Sequence, residues 1–239
     1  LYISLTFGIF QLGIYQDYIQ FLFFSLSAFF AIGLIDDLYS LRSLPKFSFP
    51  FITSVIIAYQ YSSFFLDSHN WLLILLITFW TFFNVNSFNL VDGIDGLCST
   101  LTLCTVFGLM IFAYVEDIDL VLELLVILFC SVLGFSFFNF YPSKIFLGDS
   151  GSHQIGVFLT LVCLYIFKEL NDGTNFTEYI QNDFYLFLAL VLFLGHSNFD
   201  AIYTSLSRVF AGRRPWIGDQ NHPHHKLLRL GYGHTNIII

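Results

Sequence analysis

Charge is scarce in this sequence. Lys and Arg number 9 and Asp and Glu 17 among 239 residues, so charged side chains make up 11% of the chain. A water-soluble domain carries about 25%, and the shortage excludes an ordinary soluble fold. Positive charge is the scarcer sign. The formal net charge of -8 excludes nucleic acid as a partner. Cysteine is sparse as well. Cys98, Cys104, Cys130 and Cys163 lie apart in apolar stretches, with no C-x-x-C pair. That argues for buried thiols and against a disulfide framework or a zinc site. Low-complexity tracts and internal repeats are missing, so residues 1–239 are read as one domain. No cleavable signal peptide is visible. The chain opens inside an apolar stretch without Met and stops at Ile237-Ile238-Ile239, so both ends are expected to be truncated.

What is present is apolar bulk. Hydrophobic residues make up 56% of the chain, and Phe alone contributes 32. A helix rises about 1.5 Å per residue, so roughly 20 apolar residues cross the hydrocarbon of a bilayer. Runs suited to that task lie at 1–15, 18–35, 47–66, 71–90, 97–115, 120–138, 153–167 and 184–206. They are too long and too little alternating for barrel strands. Backbone polar groups in lipid must be satisfied within each segment, which selects helices. The predicted fold is all-α: a polytopic transmembrane bundle of about eight helices.

Alternation of the spans sorts the connections onto two sides. One side holds 36–46, 91–96, 139–152 and 207–236. It carries Arg42, Lys46, Lys144, Arg208, Arg213, Arg214, Lys226 and Arg229. The other side carries only Lys168 among the basic residues, beside acids such as Asp17, Asp67, Glu116 and Asp119. Basic loops face the cytoplasm, so the first side is expected to be cytoplasmic.

Four polar clusters interrupt the pattern, all on that side. The first is Asp36-Asp37, directly after Gly33-Leu34-Ile35. An acid at the middle of a spanning helix costs about 2.5–3.5 kcal/mol, so the pair is expected at the membrane edge. Adjacent carboxylates repel unless a cation lies near. The plain alternative is a solvated helix end. The second cluster is Asn86, Asn89, Asp92 and Asp95, with the first three on one helical face. Gly93 and Gly96 beside Asp95 permit close approach of a ligand. The third runs from Asn139 to Gly156. Pro142 breaks the helix there, and Gly148-Asp149-Ser150-Gly151-Ser152 leads into the next one. Such a turn offers unpaired N–H groups to a phosphate, and Asp149 is a hard oxygen ligand of the kind Mg²⁺ takes. Simple N-capping is the alternative. The fourth is Arg213-Arg214-Pro215, then His222, His224 and His225. Without Cys, and with Arg and Lys nearby, these imidazoles suit a diphosphate better than zinc. Carboxylates, a magnesium ion, N–H-rich turns and cationic side chains together are what phosphoryl transfer needs.

Read together, IDD at 35–37, NLVDGIDGL at 89–97, NFYPSKIFLGDSGS at 139–152 and HPHH at 222–225 resemble the polyprenyl-phosphate N-acetylhexosamine-1-phosphate transferases, glycosyltransferase family 4. The motifs lie in the family's order and span most of the chain. The resemblance implies a bacterial inner-membrane enzyme with its active site on the cytoplasmic face. Such an enzyme moves a sugar-1-phosphate from a UDP-sugar to undecaprenyl phosphate, releases UMP and starts a cell-envelope polysaccharide. It implies Mg²⁺ as cofactor, with Mn²⁺ an acceptable substitute, held by Asp149. Asp36 acts on the lipid phosphate as base or nucleophile, and Asp37 supports it or helps hold metal and diphosphate. Asn86, Asn89, Asp92 and Asp95 line the nucleotide-sugar pocket. Phe146 stacks on uracil, with Asn139 and Gly148 nearby, and His222, His224 and His225 face the diphosphate or sugar. Partners are the UDP-sugar, undecaprenyl phosphate and membrane lipid, and a homodimer is one expected assembly. The HPHH form after Arg213-Arg214-Pro215 differs from the PxHHH form of the phospho-MurNAc-pentapeptide enzymes, which are the alternative. It favours a GlcNAc-1-phosphate donor. A reading of another class, a membrane transporter, would line a path through the bilayer with these acids, whereas they cluster at span ends.

Overall fold

The computed structural model describes residues 1–12, 16–65, 70–170 and 184–210. Among them every regular element is a helix. These are α1 (Tyr2–Gln11), α2 (Gln16–Tyr39), α3 (Ser43–Phe65), α4 (Trp71–Val91), α5 (Leu97–Val115), α6 (Asp119–Asn139), α7 (Gly148–Glu169), α8 (Phe184–Phe193) and α9 (Gly195–Phe210). The all-α expectation holds. Among the described residues five segments are long and apolar enough to cross a membrane: Asp17–Tyr39, Trp71–Val91, Leu97–Val115, Asp119–Asn139 and Gly148–Glu169. The protein is a multi-pass membrane bundle.

Three boundaries differ from the hydropathy reading, each for a local reason. The span expected at 184–206 is two helices meeting at Leu194. Gly195 follows the break, and the Ser197 hydroxyl donates to the Leu194 carbonyl at 3.0 Å. Glycine is a poor helix-interior residue, so the break falls beside it. The polar segment 36–46 is mostly helical, because α2 runs to Tyr39 and α3 begins at Ser43. The run Gly148–Ser152 is the first turn of α7 and not a connection before it. Acids and glycines lower hydropathy without breaking a helix whose ends are capped.

The bundle is organised around α7, which packs chiefly on α2 and α4. Helices α5 and α6 form a second pair, α3 and α9 lie on α4, and α1 lies on α6. Two glycines set the central contacts. A Cβ on Gly33 would stand 2.5 Å from the backbone N and Cα of Ser150, so α2 meets the head of α7 at backbone distance. A Cβ on Gly156 would stand 2.7 Å from Cα of Val85, which fixes α7 against α4. Small residues at helix crossings are the usual means of close packing in lipid. Farther along α7, Tyr18 and Tyr61 donate their hydroxyls to the carbonyls of Leu161 and Leu164, at 2.8 and 2.7 Å.

Candidate active site

The close approach at Gly33 carries the end of α2 onto the head of α7. Asp36 lies one turn beyond Gly33 and is 7% exposed. Its Oδ1 accepts the Leu41 backbone N–H at 2.7 Å, tying the α2–α3 connection to its own carboxylate. Its Oδ2 lies 2.6 Å from Lys46 Nζ. The same ammonium lies 2.5 Å from Asp149 Oδ2, in the first turn of α7. The other oxygen of Asp149 accepts the side-chain amide of Asn89 at 2.6 Å, and that amide also reaches Ser152 Oγ at 3.2 Å. Four helices, α2, α3, α4 and α7, thus place one polar side chain each around a shared point. Asp36, Asp37, Ser40, Leu41, Lys46 and Asp149 line a cavity of about 340 Å³ there.

The first amides of α7 are not open to a ligand. Asp37 takes the N–H groups of Asp149 and Ser150 on its two oxygens, at 2.9 and 3.0 Å. The Gly148 amide serves Asp92. Gly148 has φ +68°, and a Cβ there would crowd Asp37 Oδ2 at 2.8 Å. The expected phosphate cradle is therefore filled by the chain's own carboxylates, as a helix N-terminus favours negative charge. Asp37 is a cap for α7 in this arrangement.

Asp92 ends α4 and faces this acidic group from the side. Burial pushes its carboxyl up to about 7. The neighbouring charges of Asp149, Asp37 and Asp95 add to the rise, and the Gly148 amide opposes it.

Other expected residues take different tasks. Asn139 is 2% exposed and all its polar contacts are internal. Its oxygen accepts from Ser99 Oγ at 2.8 Å and Gly96 N at 3.2 Å, and its amide donates to the Ile145 carbonyl at 3.1 Å. It clamps the 140–147 segment to the head of α5 and does not face the cavity. Asp95 holds the same segment by accepting the Ser143 amide at 3.1 Å. Asn86 turns back on its own helix and donates to the Phe82 carbonyl at 2.7 Å. Phe146 projects outward and is 76% exposed, open to a stacking partner. His222, His224 and His225, with Arg213 and Arg214, lie outside the described residues.

Sequence reasoning missed Lys46 as a member of the centre. In the sequence it reads only as one of the basic residues of its side. The signal was available: a lysine directly before an apolar run, nine positions after an acid pair, needs a partner.

Among the described residues no group of three or more His, Cys, Asp or Glu side chains is arranged to hold a metal ion. The donor set still fits one small hard cation. Asp36 and Asp149 already converge on a positive group, the Lys46 ammonium, at 2.6 and 2.5 Å. Magnesium takes one or two carboxylates and completes its shell with water and substrate phosphates.

Comparison with known proteins yields consistent matches. A family model described as "Glycosyl transferase family 4" matches residues 4–167. The chain is similar to the "Probable undecaprenyl-phosphate N-acetylglucosaminyl 1-phosphate transferase" of Bacillus subtilis (strain 168). The two are 27% identical over 251 residues, covering 100% of this chain and 66% of the relative. It is also similar to the "Decaprenyl-phosphate N-acetylglucosaminephosphotransferase" of Mycobacterium leprae (strain TN), 29% identical, with 87% of this chain and 57% of the relative covered. A "Phospho-N-acetylmuramoyl-pentapeptide-transferase" of Listeria innocua is 33% identical over 175 residues, 62% of this chain and 52% of the relative. The chain thus spans 52% to 66% of the length of these three relatives.

Proposed function

The chain belongs to glycosyl transferase family 4, and from that premise we propose that it transfers an N-acetylhexosamine-1-phosphate from a UDP-sugar to undecaprenyl phosphate. An oxygen of the lipid phosphate bonds to the sugar-bearing phosphorus of the UDP-sugar. The bond from that phosphorus to the bridging oxygen breaks, and UMP leaves with that oxygen. The product is a lipid-linked sugar diphosphate. The donor is UDP-GlcNAc. The relatives named for N-acetylglucosamine transfer are matched over 87% and 100% of this chain, against 62% for the muramoyl-pentapeptide relative.

One observation carries the proposal: Asp36, Lys46 and Asp149 converge from three helices on one polar cavity at the end of an apolar bundle, and Asn89 from a fourth helix holds Asp149 there. A soluble nucleotide can reach such an edge while a polyprenyl tail stays among the lipids. A transporter would need polar groups along the bilayer path. Asp149 and Asp36 would hold Mg²⁺, which when bound neutralises diphosphate charge. Asp36 would act on the lipid phosphate as base or nucleophile; its two oxygens are engaged by the Leu41 amide and by Lys46. Lys46 holds the two carboxylates together, and Asn89 orients Asp149. Exposed Phe146 offers its ring to uracil. The basic loops at this end of the bundle support a location on the cytoplasmic face of the inner membrane.

The test is transfer of label by the complete protein, from radiolabelled UDP-GlcNAc to undecaprenyl phosphate with Mg²⁺, read by extraction into organic solvent. We expect label in the organic phase and UMP in the aqueous phase. No transfer from UDP-GlcNAc, or turnover by Asp149→Asn equal to wild type, would sink the reading.

A further inference from the structure

We infer that Lys46 is an internal cation occupying the metal position between Asp36 and Asp149, so that Lys46 and a divalent ion exclude one another there. The inference rests on the metal-dependent reading above.

The geometry leaves one shared point. Asp36 Oδ1 is committed to the Leu41 amide and Asp149 Oδ1 to Asn89 Nδ2. The remaining oxygen of each carboxylate is the one Lys46 touches, at 2.6 and 2.5 Å. A magnesium ion bonded to those oxygens lies about 2.0–2.1 Å from each, inside the volume the ammonium fills. Two cations cannot share that space.

The groups around the point differ in freedom. Asp36 is 7% exposed and Asp149 18%, whereas the Lys46 side chain is 37% exposed. Lys46 therefore has a way out that the carboxylates lack. While it is in place it removes the repulsion that would drive Asp36 and Asp149 apart, and so keeps the ends of α2 and α7 in register. When a divalent ion enters, the same two oxygens bind it and the lysine is released toward solvent. Lys46 acts through the carboxylates and is a positioning residue.

Direct binding of Mn²⁺ to the complete protein in detergent, followed by electron paramagnetic resonance, tests this without reference to turnover. The variants are Lys46→Met and Lys144→Met. The second makes the same charge change at an exposed position of the 139–152 segment. Lys46→Met is expected to bind Mn²⁺ about tenfold more tightly than wild type, the scale of one charged contact removed. Lys144→Met is expected to shift affinity by less than about twofold, because exposed charge is screened. Equal tightening in both variants reduces the effect to general charge and overturns exclusion. Unchanged affinity in Lys46→Met overturns exclusion and leaves the metal reading standing. No Mn²⁺ binding in either wild type or Lys46→Met overturns both. A second measurement needs no variant. In the wild type, Mn²⁺ should raise the acetylation rate of Lys46 relative to Lys144, read by mass spectrometry. A ratio unchanged or lowered by Mn²⁺ overturns the exclusion.

Discussion

Helices α6 and α7 are nearly equal in length, 21 and 22 residues, and are used in opposite ways. Of the five apolar segments, α6 is the most hydrophobic and α7 the least. Yet most of α7 is buried in protein, against well under half of α6. In water the more apolar helix would lie inside. In lipid an apolar face gains little by leaving the hydrocarbon, so packing and polar satisfaction decide what is enclosed. Helix α7 carries Gly151, Ser152, Gly156 and Thr160, all buried. The wrapped helix is also the one whose head carries Asp149. The candidate centre therefore takes one of its carboxylates from the most enclosed of the five segments, as precise placement of charge requires.

The harshest way to probe that contrast is to strike the head of α7 itself. Asp149→Asn keeps the shape and removes the charge that Lys46 and Asn89 surround. UMP release by the complete protein in the proposed reaction should fall by about a thousandfold, the usual scale for one preorganised charged group. Loss of less than tenfold would place the chemistry elsewhere. Next in size is a paired glycine test. Gly33→Val forces side-chain atoms against the Ser150 backbone, so α2 must retreat and carry Asp36 and Asp37 with it. Activity should drop about a hundredfold, since a misplacement of about 1 Å costs that much. Gly134→Val on α6 meets nothing within 4 Å and should keep activity within about twofold, as surface changes do. Equal losses at both positions would show that the two helices are not held differently.

Much of this was legible in the sequence, and the limits have physical causes. The spans of α4, α5 and α6 follow hydropathy because their ends are marked by Asn70, the Asp92–Gly96 segment and Asp119. Asp36 is legible because an acid is costly inside the bilayer, Asn89 because it shares a helical face with Asn86 and Asp92, and Asp149 because it sits in a Gly-rich turn before an apolar run. Hidden from sequence was which polar groups would satisfy each other. The Asp37 carboxylate lies 112 positions before the Asp149 amide that it caps, and no local pattern announces such a pairing. Asn139 and Asp95 look like ligand contacts by composition but hold a loop. Lys46 reads as a loop cation because hydropathy reports the apolar run and not the acids it will meet.

The pH dependence of stability gives a smaller effect. Asp92 has its folded value raised from 3.8 to about 7 by burial, with repulsion from neighbouring acids adding to it. Between those values the folded state holds a proton that the unfolded chain has lost. Stability from this group is therefore highest below about pH 4, falls as pH rises, and reaches its floor above about pH 7. Asp92→Asn should flatten the slope of Tm between pH 5 and 8, as compared with about the wild-type fall that linkage requires. It should also be the more stable protein at pH 8, by thermal unfolding in detergent. An unchanged slope would mean that Asp92 is not buried as described.

The smallest expected effect lies at the other end of α7. Tyr18 and Tyr61 each donate a hydroxyl to an α7 carbonyl, those of Leu161 and Leu164. Both carbonyls lie within the helix, so each tyrosine adds a bond to an oxygen that the helix already employs. Removing the hydroxyl then leaves no bare acceptor, and the loss is that of one hydrogen bond, about 0.5–1.5 kcal/mol. Tyr18→Phe and Tyr61→Phe should each lower Tm by a few degrees and leave the KM for the proposed donor, UDP-GlcNAc, unchanged, because the cavity is at the opposite end of the helix. A change in KM without a change in Tm would tie the far end of α7 to the site, and the enclosed helix would have to be treated as one mechanical unit from Gly148 to Glu169.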